Sequence, residues 1–362
     1  MSGHPQAPSS TKASPAPTAS TASTAEVGSL PGPSAASDFE ISPSFASIQA
    51  AHRRIAPYIH RTPVMSSSSL DQLAGAQLYF KCENLQRSGS FKMRGASNAV
   101  FSLRDEEAAR GVVTHSSGNH AAALALAARE RGIRAWIVMP SDAPQIKRRA
   151  VEAFGGEIVL CEPTMAAREA GAAELMQRTG AVLLHPFDDD RIIAGQATAA
   201  VELLEQIPDL DFVLAPVSGG GLLSGTAIAT KHLRAAAQVV GCEPRNADDA
   251  ARSVAAGRLE PAAQAKTIAD GLRATLAPRT LAILRRHVDA FSLVSEEEIV
   301  AAMRLLWDRL KLIVEPSGAV AAAPALFRKI GIERNSAVRK VGIILSGGNL
   351  DLDALPFGRA LP

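Results

Sequence analysis

An α/β protein built from two open units of parallel sheet is what this sequence predicts, on three observations. Short apolar runs alternate with helix-length runs, which implies parallel β-α-β units. The chain has 362 residues, enough for a sizeable core and for two or three domains. With 47% hydrophobic and 20% charged residues and a net charge of +2, it has the make-up of an ordinary soluble globular protein. No long basic run invites nucleic acid and no apolar run is long enough to span a membrane, so neither partner is expected.

The N-terminal segment stands apart from that pattern. Ser, Ala, Pro and Thr supply 27 of residues 1–38, and only Lys12, Glu26 and Asp38 are charged. Such a segment cannot bury enough apolar surface to offset its ordering entropy, so a disordered tail is expected. It is Ser-rich and poor in acids, as organelle transit peptides are, but it has no Arg, which favours a plain tail and a cytoplasmic protein. Cys82, Cys161 and Cys242 lie in separate strand-like runs without C-x-x-C spacing and are expected as buried free thiols in a reducing compartment.

From "ISPSFASIQAAHRRIAPYI" onward the ordered chain begins. "AQLYFKCE" (76–83) reads as a strand, "GVVTHSS" (111–117) as a second, and "NHAAALALAARERG" (119–132) as an Ala-rich helix stopped by Gly132. Strands at 135–140, 157–162 and 181–187 alternate with helices at 142–155 and 164–180. A second region has strands at 211–217, 237–244, 290–295 and 340–351. Ser295 and Glu298 there form a capping box for the helix carrying "IVAAMRLLWDRL". The expected division is a large α/β domain over 39–105 and 188–362, with a small α/β domain inserted at 106–187.

Ligands of open α/β sheets bind beyond the C-terminal ends of strands, and the Gly- and Ser-rich turns all fall there. "SGSFKMRGASNAV" (88–100) places Lys92 after a tight turn, beside Phe91, where a helix begins. The partial positive charge of a helix N-terminus disfavours a cation, so a neutral amine is easier to reach; a solvated, snorkelling lysine is the other reading. "PVSGGGLLSG" (216–225) joins strand to helix through three glycines and lacks both the Walker and the dinucleotide spacing. It is either a cradle for one phosphate monoester or a turn needing positive φ. "HSSGNHAAA" (115–123) offers Ser116, Ser117, Asn119 and His120 as a carboxylate cradle or as an N-cap cluster. "LSGGNLD" (345–351) ends the last strand with Ser346 at the sheet end. A lysine of suppressed charge, a phosphate cradle without a nucleotide signature and a carboxylate cradle together suggest pyridoxal phosphate held by Lys92.

"KCENLQRSGSFKMRGA", "THSSGNHA", "SGGGLLSG" and "LSGGNLD", in this order, resemble the fold-type II (tryptophan synthase β-like) pyridoxal-phosphate enzymes. Within them the chain is most similar to the serine racemase and serine/threonine dehydratase (threonine ammonia-lyase) branch, and also to threo-3-hydroxyaspartate dehydratase. The likeness runs from about Ile41 to Asp351. It implies two open twisted α/β domains with pyridoxal 5′-phosphate in the cleft between them. Lys92 would be the Schiff-base lysine with Phe91 beside the ring, and Asn119 would bond the phenolic oxygen. The backbone of Ser218, Gly219, Gly220, Gly221 and Leu222 would hold the phosphate, and Ser346 would face the pyridine nitrogen. The family's usual four-glycine loop departs here to "SGGG", where the Ser218 hydroxyl could add a phosphate contact.

"GCEPRNADDA" (241–250) resembles the racemase-branch metal site, with Glu243, Asp249 and the Ala247 carbonyl on Mg²⁺, Ca²⁺ or Mn²⁺; a solvated acidic loop is what the sequence alone favours. Ser117 stands where racemising relatives carry a second acid/base, and Arg168 matches an active-site Arg that could meet a second carboxylate. Phe187 stands where the animal racemase has Asn and looks dehydratase-like. No regulatory domain follows the last strand, which argues against a feedback-controlled threonine deaminase. The resemblance therefore implies α,β-elimination from a β-hydroxy amino acid (serine, threonine or 3-hydroxyaspartate) to a 2-oxo acid and ammonia. Racemisation is the alternative, and a non-catalytic pyridoxal-phosphate binder is the alternative from another class. The expected partners are a small amino-acid substrate and a second copy of the chain, as a homodimer.

Overall fold

The computed structural model describes residues 43–262, 265–331 and 338–358 together with Met1. Met1 apart, the tail expected over 1–38 lies outside the described residues. Among the described residues ten strands fall into two sheets: β1 (Val64–Met65), β2 (Gln77–Cys82), β3 (Val112–His115), β4 (Ala135–Pro140), β5 (Glu157–Cys161), β6 (Val182–Leu183), β7 (Phe212–Pro216), β8 (Gln238–Pro244), β9 (Ala290–Val294) and β10 (Lys340–Leu345). The larger sheet runs β1-β2-β10-β7-β8-β9 and the smaller β5-β4-β3-β6. Every pairing is parallel except that of β1 with β2. The fold is α/β with parallel sheets, as the alternating pattern predicts.

Helices cover both faces of a parallel sheet, so its inner strands read as unbroken apolar runs. "AWIVMP" in β4 and "FVLAP" in β7 are buried along their whole length. The capping box at Ser295 forms as expected, with Ser295 accepting from the Glu298 N–H and Glu298 returning to the Ser295 N–H.

Two strands are shorter than their apolar runs suggest. The 181–187 run pairs only at Val182 and Leu183, because Pro186 has no N–H to offer a ladder and the chain turns toward the site. The 340–351 run leaves the sheet after Leu345, where Ser346–Asn349 crosses to the Ser88–Ser90 turn. Alternation also passes over the helix Asp190–Gln206, whose Gly195 lies against the backbone of the helix Lys92–Phe101. A Cβ on Gly195 would stand 2.6 Å from the Arg94 carbonyl oxygen.

Cys82 and Cys242 are buried, whereas Cys161, on the edge strand β5, is half-buried; all three are free. Among the described residues no helix is long and apolar enough to cross a membrane.

Candidate active site

Lys92 is the first residue of the helix Lys92–Phe101. The turn before it lies against the end of β10: Phe91 N–H donates to the Ser346 carbonyl at 2.9 Å, Gly348 N–H to the Gly89 carbonyl at 2.9 Å, and Asn349 Nδ2 to the Ser88 carbonyl at 2.8 Å. Gly89 has φ +75° and faces the Asn349 side chain at a distance no Cβ tolerates. The Lys92 amine lies 5.1 Å from the centre of the Phe91 ring and donates to the Pro186 carbonyl at 2.8 Å. Burial brings its pKa down from 10.5 to about 8. The suppressed charge expected from the helix N-terminus is present, but desolvation is its cause.

The loop after β3 presents Ser116, Ser117 and Gly118, all half-buried, ahead of the helix Asn119–Arg131. A Cβ on Gly118 would meet nothing within 4 Å, so this loop borders open space. The first N–H groups of that helix have no intrahelical acceptor and suit an anion. Asn119 donates from Nδ2 to Glu315 Oε1 at 2.8 Å and accepts at Oδ1 from Asn349 at 2.9 Å. His120 turns inward: it is buried, its Nε2 lies 3.2 Å from the Leu184 carbonyl, and its Nδ1 has no partner. Burial, with Lys92 close by, holds it well below the usual histidine range.

The loop Ser218–Leu222 leads into the helix Gly221–Leu233, whose first-turn N–H groups are likewise free of intrahelical bonds. Gly220 has φ +90°. A Cβ on Gly219 would stand 2.4 Å from the Phe187 ring, and one on Gly220 would stand 2.7 Å from Thr280 Cβ. Each of these glycines has a steric reason, which the three in a row had left open. The Ser218 hydroxyl accepts from Ala274 N–H at 3.0 Å and lies 3.2 Å from the Ala274 carbonyl, so the backbone already claims the hydroxyl that the sequence offered to a phosphate.

A chain of contacts joins these motifs. Lys92 touches Pro186, whose neighbour Phe187 covers Gly219 and Gly221; Phe91 touches Ser346, which is followed by Gly347 at Glu315, the partner of Asn119. Glu315 is the residue that sequence reasoning missed. It is 5% exposed, and burial pushes its carboxyl from 4.5 up to about 8, aided by the nearby Asp270 and opposed by the Asn119 bond. One signal was legible: a single acid inside the apolar run "LIVEPSGAVAAAPAL".

Arg168 is half-buried on the helix Met165–Thr179, and its Nε lacks a protein partner. Together with Glu169 it acts on His115, whose ring meets His185 edge-on at 5.5 Å. His185 in turn meets Phe187 at 4.6 Å and accepts from Asp188 N–H at 3.0 Å. Burial brings His185 down to about 4. A row of neutral rings therefore runs from Arg168 toward the Lys92 amine.

Glu243 and Asp249 lie apart from this group. Glu243 is buried and caps the helix Asp249–Ala256, accepting from Ala250 and Ala251 N–H at 3.0 Å each. Burial raises its pKa well above the usual range and that of Asp249 to about 6, while Asp249 Oδ2 has no partner. Ala247, two residues before Asp249, is buried beside them. Among the described residues no cluster of three or more His, Cys, Asp or Glu side chains is disposed to hold a metal.

Residues 55–347 match the family described as pyridoxal-phosphate dependent enzyme. The chain is 50% identical over 312 residues to a serine racemase of Arabidopsis thaliana, covering 85% of this chain and 94% of that one. To a beta-hydroxyaspartate dehydratase of Paracoccus denitrificans it is 47% identical over 315 residues, covering 87% and 99%. The structure of maize serine racemase superposes with a TM-score of 0.84 at 47% identity, over 86% of this chain and 95% of that one. The matched span takes in Lys92, Asn119, the Ser218–Leu222 loop, Glu315 and Ser346, and the chain belongs to the pyridoxal-phosphate dependent enzyme family.

Proposed function

We propose that this chain is a pyridoxal-phosphate-dependent ammonia-lyase that eliminates water from a β-hydroxy amino acid, giving a 2-oxo acid and ammonia. The observation that carries the reading is a chain of contacts: Lys92 reaches the Ser218–Leu222 loop through Pro186 and Phe187, and its neighbour Phe91 reaches Asn119 through Ser346, Gly347 and Glu315, while burial brings the Lys92 pKa to about 8. These residues fit the cofactor: an amine that is readily neutral, free N–H groups at a glycine-crowded helix start and an amide side chain. Bound pyridoxal phosphate supplies an electron sink for the substrate α-carbon.

The chain's residues do the rest. Lys92 would hold the cofactor; its Nζ, when free and neutral, would take the α-proton and pass it to the departing β-hydroxyl, which leaves as water, and a water then hydrolyses the released enamine, as its imine, to the 2-oxo acid and ammonia. A pKa near 8 keeps both forms of that amine within reach at neutral pH. The N–H groups after Gly220 would take the phosphate, Asn119 the phenolic oxygen, and Ser346 the ring nitrogen. Ser116, Ser117 and the start of the Asn119 helix would take the substrate carboxylate. Arg168, with its unpartnered Nε, would meet a second carboxylate if the substrate is 3-hydroxyaspartate.

The two sheets are read as two domains, 39–105 with 188–362 and 106–187, with the site in the cleft. The unpartnered Asp249 oxygen supports a hard cation at Glu243, Asp249 and the Ala247 carbonyl. Three free cysteines support a cytoplasmic setting, and a homodimer belongs to the same proposal.

A second reading, amino-acid racemisation, is favoured by Ser117 in the loop facing open space and by the relatives named serine racemase. Keto-acid release and chiral analysis with serine, threonine and 3-hydroxyaspartate, each with and without Mg²⁺, separate the two. No keto acid and no inversion from any of them would leave a non-catalytic binder.

A further inference from the structure

Beneath the site lies a closed set of four charged side chains that the chemistry above does not use. Lys81, Glu83 and Arg94 have no exposed side-chain surface and Glu202 has 2%. All five N–H groups of Arg94 are engaged. Nε and Nη2 donate to Glu83 at 2.7 and 2.8 Å, Nη1 and Nη2 to Glu202 at 2.8 Å each, and Nη1 to Thr198 Oγ1 at 3.1 Å. Lys81 closes the set, donating to Glu202 and to the Thr62 carbonyl at 2.7 Å, while the Thr62 hydroxyl donates to Glu83 at 2.6 Å.

The charges sum to zero, and burial alone accounts for the pKa of Lys92. The set therefore reaches Lys92 through position rather than field. Nor is it a strong source of stability, since a buried ion set replaced whole by apolar residues of like volume often folds as well or better. What a planar fork between two carboxylates fixes is register. Arg94 lies two residues after Lys92 on one helix. Glu202 and Thr198 lie on the helix Asp190–Gln206, which begins four residues after Pro186. One end of the Lys92–Pro186 bond thus lies on one of the two helices that Arg94 ties together and the other on the short segment leading into the second, and Glu83 adds the end of β2.

We propose that Arg94 is a positioning residue for Lys92: by clamping these two helices and the end of β2 in one register, it sets where the amine stands in the site. The proposal rests on the reading of Lys92 as the cofactor's anchor, which borohydride trapping on the unsubstituted protein tests separately.

Two variants test it: Arg94→Lys, which keeps the charge but not the fork, and Glu83→Leu/Arg94→Met, which removes a neutral pair and leaves Lys81 with Glu202. Three readouts are taken: melting temperature, kcat and KM of the holoenzyme, and the pH midpoint for acylation of Lys92 in the cofactor-free full chain, followed by peptide mapping. The paired variant is expected to melt within a few degrees of the parent. Its Lys92 midpoint should rise by about one unit as the amine slips toward water. Its kcat should fall about 100-fold, the cost of a misplacement of about 1 Å, with KM changing far less. Arg94→Lys should move the midpoint and kcat in the same direction. Parent-like midpoint and kcat in either folded variant would overturn the proposal. Failure of the paired variant to fold would also overturn it, by making the set a plain stability element.

Discussion

Replacing Glu315 by Gln should change how stability depends on pH, and the direction follows from the burial of the carboxyl. An unfolded chain releases this proton near 4.5, whereas the folded chain holds it up to about 8. Between those values the folded state carries the extra proton, so rising pH costs stability at about 1.4 kcal/mol per unit. Across the whole interval that amounts to about 5 kcal/mol as an upper bound, because water admitted on ionisation reduces it. Gln titrates nothing and keeps an oxygen to accept from Asn119. The two proteins should therefore have similar stability near pH 5, and the variant should gain steadily until about pH 8, after which the difference is flat. Melting of the cofactor-free full chain, parent and variant, in half-unit steps from pH 5 to 9 measures it. Parallel profiles, or a difference that grows toward acid, would refute the reasoning.

Three further outcomes are expected. Lys92→Ala should abolish borohydride-trapped cofactor and lower turnover by several orders of magnitude, and labelling of a different lysine in the parent would undo the assignment. Ser117→Ala should keep elimination of the L-substrate while losing racemisation and turnover of the D-isomer, with chiral analysis as the readout; inversion that survives would place the second acid/base elsewhere. Mg²⁺ should raise the melting temperature of the parent, by about 2.7 kcal/mol of added stability at a hundredfold excess over its Kd, but not that of Asp249→Ala. Equal responses of the two proteins would remove Asp249 from the site.

The legible parts of the molecule were those with a local signature. Parallel strands buried on both faces show as apolar runs, so β4 and β7 could be placed from sequence to within a residue. The glycines at Gly219–Gly221 marked a crowded turn, but the crowding atoms, Phe187 and Thr280, are distant in sequence and only the fold brings them in. The same holds for Lys92. Its unusual setting was readable from the turn, yet the burial that lowers its pKa is made by the fold and not by the local sequence. Glu315 showed only as a lone acid in an apolar run, because a carboxyl is placed by its partners, and Asn119, Gly347 and Asp270 come from three other segments.

The position of β10 carries a consequence for how the protein is made. It lies between β2 and β7 in the larger sheet, so an N-terminal strand pair waits for a segment near residue 345 before it gains its second neighbour. At about 5–20 residues per second, synthesis from Cys82 to Lys340 takes roughly 13–50 s. The β3–β6 sheet has all its partners within 112–183 and can close during that wait, leaving the edges of β2 and β7 for a chaperone to shield. Ser346 and Gly347 arrive with the same strand. A chain stalled before β10 therefore lacks the turn against which Phe91 and Glu315 rest.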